Sequence, residues 1–182
     1  MSKVLVPLAP GFEELEAMTI TDLLARAEID VVTAGLGTGP VKASRGAVIV
    51  PDRTLDEAMD DDYDMVVLPG GMPGADHLRD DERVQSLLKK MADQGRYTAA
   101  ICAAPKALAQ AGLLDGKRVT SFPTALDAVK LEGTEVTGSA LEIDGRVITS
   151  RGPGTAMDFA LELIEILAGR AKRDAVEKSL AR

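Results

Sequence analysis

The chain has 182 residues, with 29 acidic and 21 basic side chains, a formal net charge of −8, one cysteine and one histidine. That length suits one domain, 1–182, with a sizeable core, and the acidic balance and absence of Trp argue against nucleic acid as a partner. A single cysteine excludes an intramolecular disulfide, and one Cys with one His cannot make a Cys/His zinc site.

Met1-Ser-Lys-Val-Leu-Val-Pro7 has no apolar run of signal-peptide length, and no stretch reaches the roughly 18 apolar residues of a membrane span. A soluble protein of the reducing cytoplasm is expected, with no membrane partner. Lys3–Leu8 reads as a buried parallel strand. Ala9-Pro-Gly-Phe12 turns into a helix from about Glu13 to Ala27, followed by a strand over Asp30–Ala34. Gly35-Leu-Gly-Thr-Gly39 follows a strand, but Pro40-Val41 replaces the helix that a dinucleotide fingerprint needs. Val41–Ala43 and Ala47–Val50 suit two short strands around Ser44-Arg45-Gly46, and Thr54-Leu-Asp-Glu57 is a capping-box pattern.

Asp64–Leu68 reads as a strand ending in the loop Pro69-Gly-Gly-Met-Pro-Gly74, and Asp81–Gln94 as a helix. Tyr97–Ile101 is the next strand, with helices expected over Ala103–Ala111 and near Thr124–Lys130 and a strand near Arg118–Ser121. Glu142–Ser150 suits a hairpin with a type I′ turn at Asp144-Gly145. Thr155–Ala168 is helical, and the basic tail Arg170–Arg182 reads as a solvated helix. Alternating strands and helices predict an α/β sandwich with a mostly parallel sheet and helices on both faces.

Cys102 stands where an apolar strand meets a helix, in Ala99-Ala-Ile-Cys-Ala-Ala-Pro105. Ala100 and Ala104 flank it at ±2, the small-residue layout of a nucleophile elbow. The adjoining helix N–H groups are expected to favour thiolate. A buried cysteine acting as a small hydrophobe is the competing reading. Advancing about 100° per residue along the first helix puts Glu13 and Glu16 in one arc with Ala17, Ile20, Leu23, Leu24 and Ala27, while Glu14 points away. Acids favour helix N-termini, which explains their place in the chain but not that angle. Inward carboxyls have raised pKa values, and a protonated one can donate to a thiolate and shuttle a proton. In a doubly wound sheet the loops after the strands form the binding crevice, here Ala9–Phe12, Pro69–Gly74 and Cys102–Pro105. His77 reads as a solvated loop histidine outside the chemistry.

These segments resemble the ThiJ/PfpI superfamily, within it the parkinsonism-associated (DJ) deglycase and chaperone branch, and especially its YajL-like bacterial members. The resemblance runs from Leu8-Ala-Pro-Gly-Phe-Glu-Glu-Leu-Glu-Ala17 through Ser44-Arg45, Val67-Leu-Pro-Gly-Gly71 and the Cys102 segment to Thr149-Ser-Arg-Gly-Pro-Gly-Thr155. It implies a flavodoxin-like three-layer sandwich, a homodimer and no cofactor. Cys102 matches the reactive, easily oxidised cysteine, Glu16 the carboxyl bonded to its sulfur, and Gly70, Gly71 and Ala103 the backbone donors around it. Glu13 matches the residue that holds an arginine, here Arg45, which in relatives comes from the other subunit. Gly152 and Pro153 match a supporting turn. The implied activities are cofactor-free conversion of glyoxal and methylglyoxal, repair of early glycation adducts on proteins, and redox-linked chaperoning of unfolded proteins under oxidative stress. Phe122 replaces a pocket histidine of many relatives, as in the YajL-like members. Ala103 stands where protease-like members place His, which argues against peptidase activity.

A thiol-dependent enzyme with Cys102 as nucleophile and Glu16 as proton shuttle is therefore the leading expectation. A redox-sensing holdase switched by Cys102 oxidation, and a binding module with an unreactive thiol, are the alternatives.

Overall fold

The computed structural model describes all 182 residues. The strands are β1 (Lys3–Leu8), β2 (Asp30–Gly35), β3 (Val41–Lys42), β4 (Val48–Ile49), β5 (Arg53–Thr54), β6 (Met65–Leu68), β7 (Tyr97–Ile101), β8 (Arg118–Val119), β9 (Glu135–Val136), β10 (Leu141–Asp144) and β11 (Val147–Ser150). The helices are α1 (Glu14–Arg26), α2 (Leu55–Ala58), α3 (Gly74–Asp80), α4 (Glu82–Asp93), α5 (Pro105–Gln110), α6 (Ala156–Ala168) and α7 (Arg170–Ser179).

Seven strands form one sheet in the order β10-β11-β7-β6-β1-β2-β5, parallel except for the β10–β11 hairpin. Alternation along the buried strands divides the core. Val4, Val6 and Leu8 of β1 join Met65, Val67, Ala99 and Ile101 beneath α1 and α6. Leu5, Val66, Leu68 and Ala100 meet Leu87, Leu88 and Leu108 of α4 and α5 on the other face. The expected α/β sandwich with helices on both faces is therefore the architecture found. No helix is long and apolar enough to cross a membrane.

Several local expectations are corrected. Helix α3 occupies Gly74–Asp80, where the glycine- and proline-rich sequence reads as loop, so His77 is helical. No helix forms over Thr124–Lys130. Thr124 has φ +71, and the hydrogen bonds there run three residues back, to Phe122, Thr124 and Leu126. The β10–β11 loop is Gly145-Arg146, and Gly145 alone has positive φ, whereas a type I′ turn needs two such residues. Helix α5 starts at Pro105, later than Ala103, because Cys102 has φ +64. The capping box is present, with the Thr54 hydroxyl and Glu57 carboxylate each accepting from the other's backbone N–H. The basic tail is helical as expected, but Val176 is buried in the core under α6.

Phe159 of α6 is fully buried, whereas Met157 on the same helix is exposed. Truncation to Ala is expected to cost about 3–5 kcal/mol at Phe159 and less than ~1 kcal/mol at Met157, read from urea midpoints.

Candidate active site

Strand β7 delivers Cys102 at its carboxyl end in the left-handed region. Its N–H donates to the Ser150 carbonyl at 3.0 Å, and its carbonyl accepts from the Phe122 N–H at 2.7 Å. These two bonds hold a conformation that costs a non-glycine residue on the order of 1–3 kcal/mol. The sharp turn inferred from the small neighbours is therefore present, and both Ala100 and Ala104 are fully buried, in the core on the other face of the sheet.

The loop after β6 closes from the other side. A Cβ on Gly70 would lie 2.6 Å from the Cys102 Cβ and 2.9 Å from Glu16 Oε2, so only glycine fits without moving both groups. Gly71 has φ +88, and a Cβ there would lie 2.4 Å from the backbone nitrogen of Glu13. Three loop ends thus converge, as the crevice argument expects.

Glu16 is fully buried on the inner face of α1. Its Oε2 accepts from the Gly70 N–H at 2.8 Å. This differs from the role that the family resemblance implies for Gly70, because the N–H is committed to the carboxyl instead of the sulfur. Oε1 is buried with no partner of hydrogen-bonding geometry, although the Cys102 thiol is close enough to perturb the carboxyl. The two groups are in contact without a formed hydrogen bond. Protonation of Oε1 would supply the missing donor.

Burial pushes the Glu16 carboxyl up to about 7, opposed by the Gly70 N–H and the thiol and reinforced by the charge of Glu13. Burial also pushes the Cys102 thiol up, to about 12, and the charge of Glu16 adds to it, while the N–H groups of Gly71 and Ala103 act downward. The expectation that helix amides favour thiolate is thus corrected: with Glu16 ionised, burial and its charge outweigh them. The thiol's shift reflects an ionised Glu16, whereas that of Glu16 reflects burial beside a neutral thiol; two negative charges packed together here would oppose each other, so the pair accommodates one and resists a second. A reactive thiolate requires the proton to rest on Glu16.

A cavity of about 310 Å³ opens onto the sulfur, lined by Glu13, Ser44, Arg45, Gly71, Met72, Cys102, Ala103, Phe122 and Pro153. Glu13 accepts from the Ser44 hydroxyl at 3.0 Å and lies 3.9 Å from Arg45 Nε within the same chain. Arg45 is strongly exposed, which makes that ion pair a weak one. Gly152 stands just behind the lining, where a Cβ would meet the Phe122 ring at 3.3 Å. His77 lies outside the cavity, with Nδ1 3.0 Å from the Pro10 carbonyl oxygen. No group of three or more His, Cys, Asp or Glu side chains could hold a metal ion.

Met72 and Glu14 went unassigned in the sequence. Met72 has no periodic context that could reveal a wall residue. Glu14 does point away from the core, but its carboxylate accepts from the N–H groups of Arg45 and Ala47, fixing the β3–β4 hairpin over the cavity rim. That role depends on a hairpin about thirty residues away, which helix geometry alone does not locate.

The sequence profile of the DJ-1/PfpI family matches residues 2–166. Protein dj-1beta of Drosophila melanogaster is 44% identical over 182 residues, covering 99% of this chain and 97% of that protein. The crystal structure of Drosophila melanogaster DJ-1beta superposes with a TM-score of 0.95 at 43% identity, covering 100% of this chain and 98% of the other. Glutathione-independent glyoxalase DJR-1.2 of Caenorhabditis elegans is 38% identical over 168 residues, covering 92% of this chain and 89% of that protein.

The Glu16 shift has a thermodynamic consequence. Below pH 4.5 the carboxyl is protonated whether the chain is folded or not; as pH rises toward about 7 the unfolded chain ionises and the folded site resists. Wild-type stability relative to Glu16→Gln should therefore fall over that window, by on the order of 3 kcal/mol, and level off above it. Chemical denaturation of both proteins across the window checks this, and a constant difference would contradict the buried-acid assignment.

Proposed function

Since the chain belongs to the DJ-1/PfpI family, which includes a protein named as a glutathione-independent glyoxalase, we propose that it is a cofactor-free, thiol-dependent enzyme acting on 2-oxoaldehydes and on early glycation adducts. The observation that carries this reading is the contact between the sole cysteine, at a cavity floor, and a buried carboxyl held near neutrality. A general acid–base group works best when its pKa lies near the working pH.

With the proton on Glu16, the Cys102 thiolate adds to the aldehyde carbon of methylglyoxal, forming a C–S bond. The carbonyl electron pair moves to oxygen, which takes a proton to complete the hemithioacetal. Glu16, now ionised, removes the hydrogen from that carbon as a proton and returns it at the neighbouring carbon, while the hydroxyl proton passes from the first oxygen to the former ketone oxygen. The aldehyde carbon is thereby oxidised to a thioester while the ketone carbon is reduced to an alcohol. Water then cleaves the C–S bond, releasing lactate and regenerating the thiol. Every electron stays within the substrate, so no external oxidant or nicotinamide is needed. The N–H groups of Gly71 and Ala103, already directed at the sulfur, lie where oxyanions on the attached carbon would develop. In an adduct on a protein, the C–S bond forms at the hemiaminal carbon as its C–N bond breaks, and the amine or guanidine leaves with the proton from Glu16, giving the same hemithioacetal.

A second reading, an oxidation-switched chaperone, draws on the same donors. Two backbone N–H groups and a protonatable carboxyl around one sulfur would also hold the oxygens of a sulfinate. A homodimer in the cytoplasm is consistent with either reading.

Cys102→Ser is expected to eliminate lactate formation from methylglyoxal, followed by chiral chromatography of the product; wild-type turnover in that variant would sink the mechanism. Glu16→Gln should lower kcat by about 10²–10⁴-fold while leaving the circular dichroism spectrum unchanged.

A further inference from the structure

Phe122 is a cavity wall that the proposed turnover leaves unused. Its side chain is 48% exposed, yet its position is fixed. The backbone N–H is tied to the Cys102 carbonyl, and the ring packs over Gly152. The ring bounds more than the cavity above the sulfur. It also bounds a second cavity of about 310 Å³ with Pro153 and Arg151, and a third of about 520 Å³ with Arg151 and Thr137. Pro153 is common to the first two and Arg151 to the last two. The shared walls make the three cavities neighbours, in a row that runs from the sulfur past Phe122 and Pro153 to Arg151.

Arg151 stands apart electrostatically. Every other arginine is within ion-pair distance of a carboxylate, except Arg146, which stacks over the Tyr97 ring at 4.3 Å. Arg151 has neither kind of partner. Its Nη1 donates to the Gly138 carbonyl at 3.0 Å, which orients the guanidinium and leaves other donors free. Asp127 lines the far part of the groove without pairing to it. In a chain of net charge −8, an oriented and unpaired guanidinium on this path suits a carboxylate, which it can bind through two parallel N–H bonds.

We propose that the groove from Cys102 past Phe122 to Arg151 is a substrate subsite that receives the distal, carboxylate-bearing part of an extended carbonyl compound, with Phe122 as its apolar wall and Arg151 as its anion anchor. This rests on the enzymatic reading above and narrows its substrate class. Aldehydes and adducts carried on an amino acid or peptide with a free carboxylate are preferred over uncharged ones of the same size.

Because Cys102 is the only cysteine, the groove can be tested without turnover. The probes are N-phenylmaleimide and N-(4-carboxyphenyl)maleimide, which alkylate a thiol by addition and differ only in the distal carboxylate. The readout is the ratio of their second-order rates with Cys102, followed by intact mass. In wild type the carboxylated reagent should react about three- to fivefold faster, and that advantage should shrink at ~1 M salt. Arg151→Gln should bring the ratio close to that of a small free thiol, while Arg26→Gln, which removes a cation that lines none of the three cavities, should preserve it. A ratio near the free-thiol value in wild type, an unchanged ratio in Arg151→Gln, or failure of both reagents to reach Cys102 in the folded protein would each overturn the proposal. Methylglyoxal turnover measured on the same wild-type preparation separates the two claims: its absence would remove the enzymatic reading while the alkylation ratio still reports on the groove.

Discussion

Two ionisable groups, Glu16 and Cys102, are packed against each other where the interior can hold only one negative charge. That contact constrains its surroundings from three directions. Helix α1 must point a carboxyl inward, β7 must end in a left-handed residue, and the β6 loop must pass between them with no side chain at Gly70. The Gly70 N–H then satisfies one carboxyl oxygen, while the other is buried with no hydrogen-bond partner. A protonated carboxyl beside a thiolate satisfies both groups, whereas two charges would satisfy neither. The proton's position is therefore the variable on which the chemistry turns.

This arrangement is destabilising locally and is tolerated because the rest of the domain over-determines it. A raised carboxyl pKa and a positive φ at Cys102 each work against folding. Opposing them is a continuous apolar core in which α1 and α6 pack over Met65, Val67, Ala99 and Ile101. Cys102 itself belongs to that cluster, so the thiol sits on packed elements of the core. Concentrating strain at one site while the surroundings follow ordinary packing rules is the pattern expected of a functional centre.

Much of this was legible in the sequence because it followed from local periodicity. The inward angle of Glu16 comes from helix geometry, and the elbow from alanines that leave room for a sharp turn. What escaped depended on tertiary surroundings. The thiol's upward shift could not be read from a strand–helix junction, since it comes from burial and from a carboxyl on a distant helix. Helix α3 was hidden by Pro73 and Gly74, which signal a turn but here open a helix. The apolar residues near Thr124–Lys130 suggested a helix that the left-handed Thr124 prevents. The family resemblance puts the Gly70 N–H at the sulfur, whereas its partner is the carboxyl of Glu16, a contact that only the folded chain brings together.

The catalytic and redox readings are physically coupled. Both begin from thiolate Cys102, so any change that moves the proton onto Glu16 favours addition to an aldehyde and oxidation of the sulfur alike. No second cysteine is present to resolve a sulfenic acid into an intramolecular disulfide. Electrostatics at the sulfur therefore cannot favour one outcome without the other. Discrimination has to come from what the cavity admits and retains near the thiolate. A small neutral oxidant needs little more than access, whereas a carbonyl substrate gains from walls that hold it for the slower proton transfer. Residues such as Phe122 and Met72, which have no charge to lend the thiol, can therefore influence the balance through residence time alone.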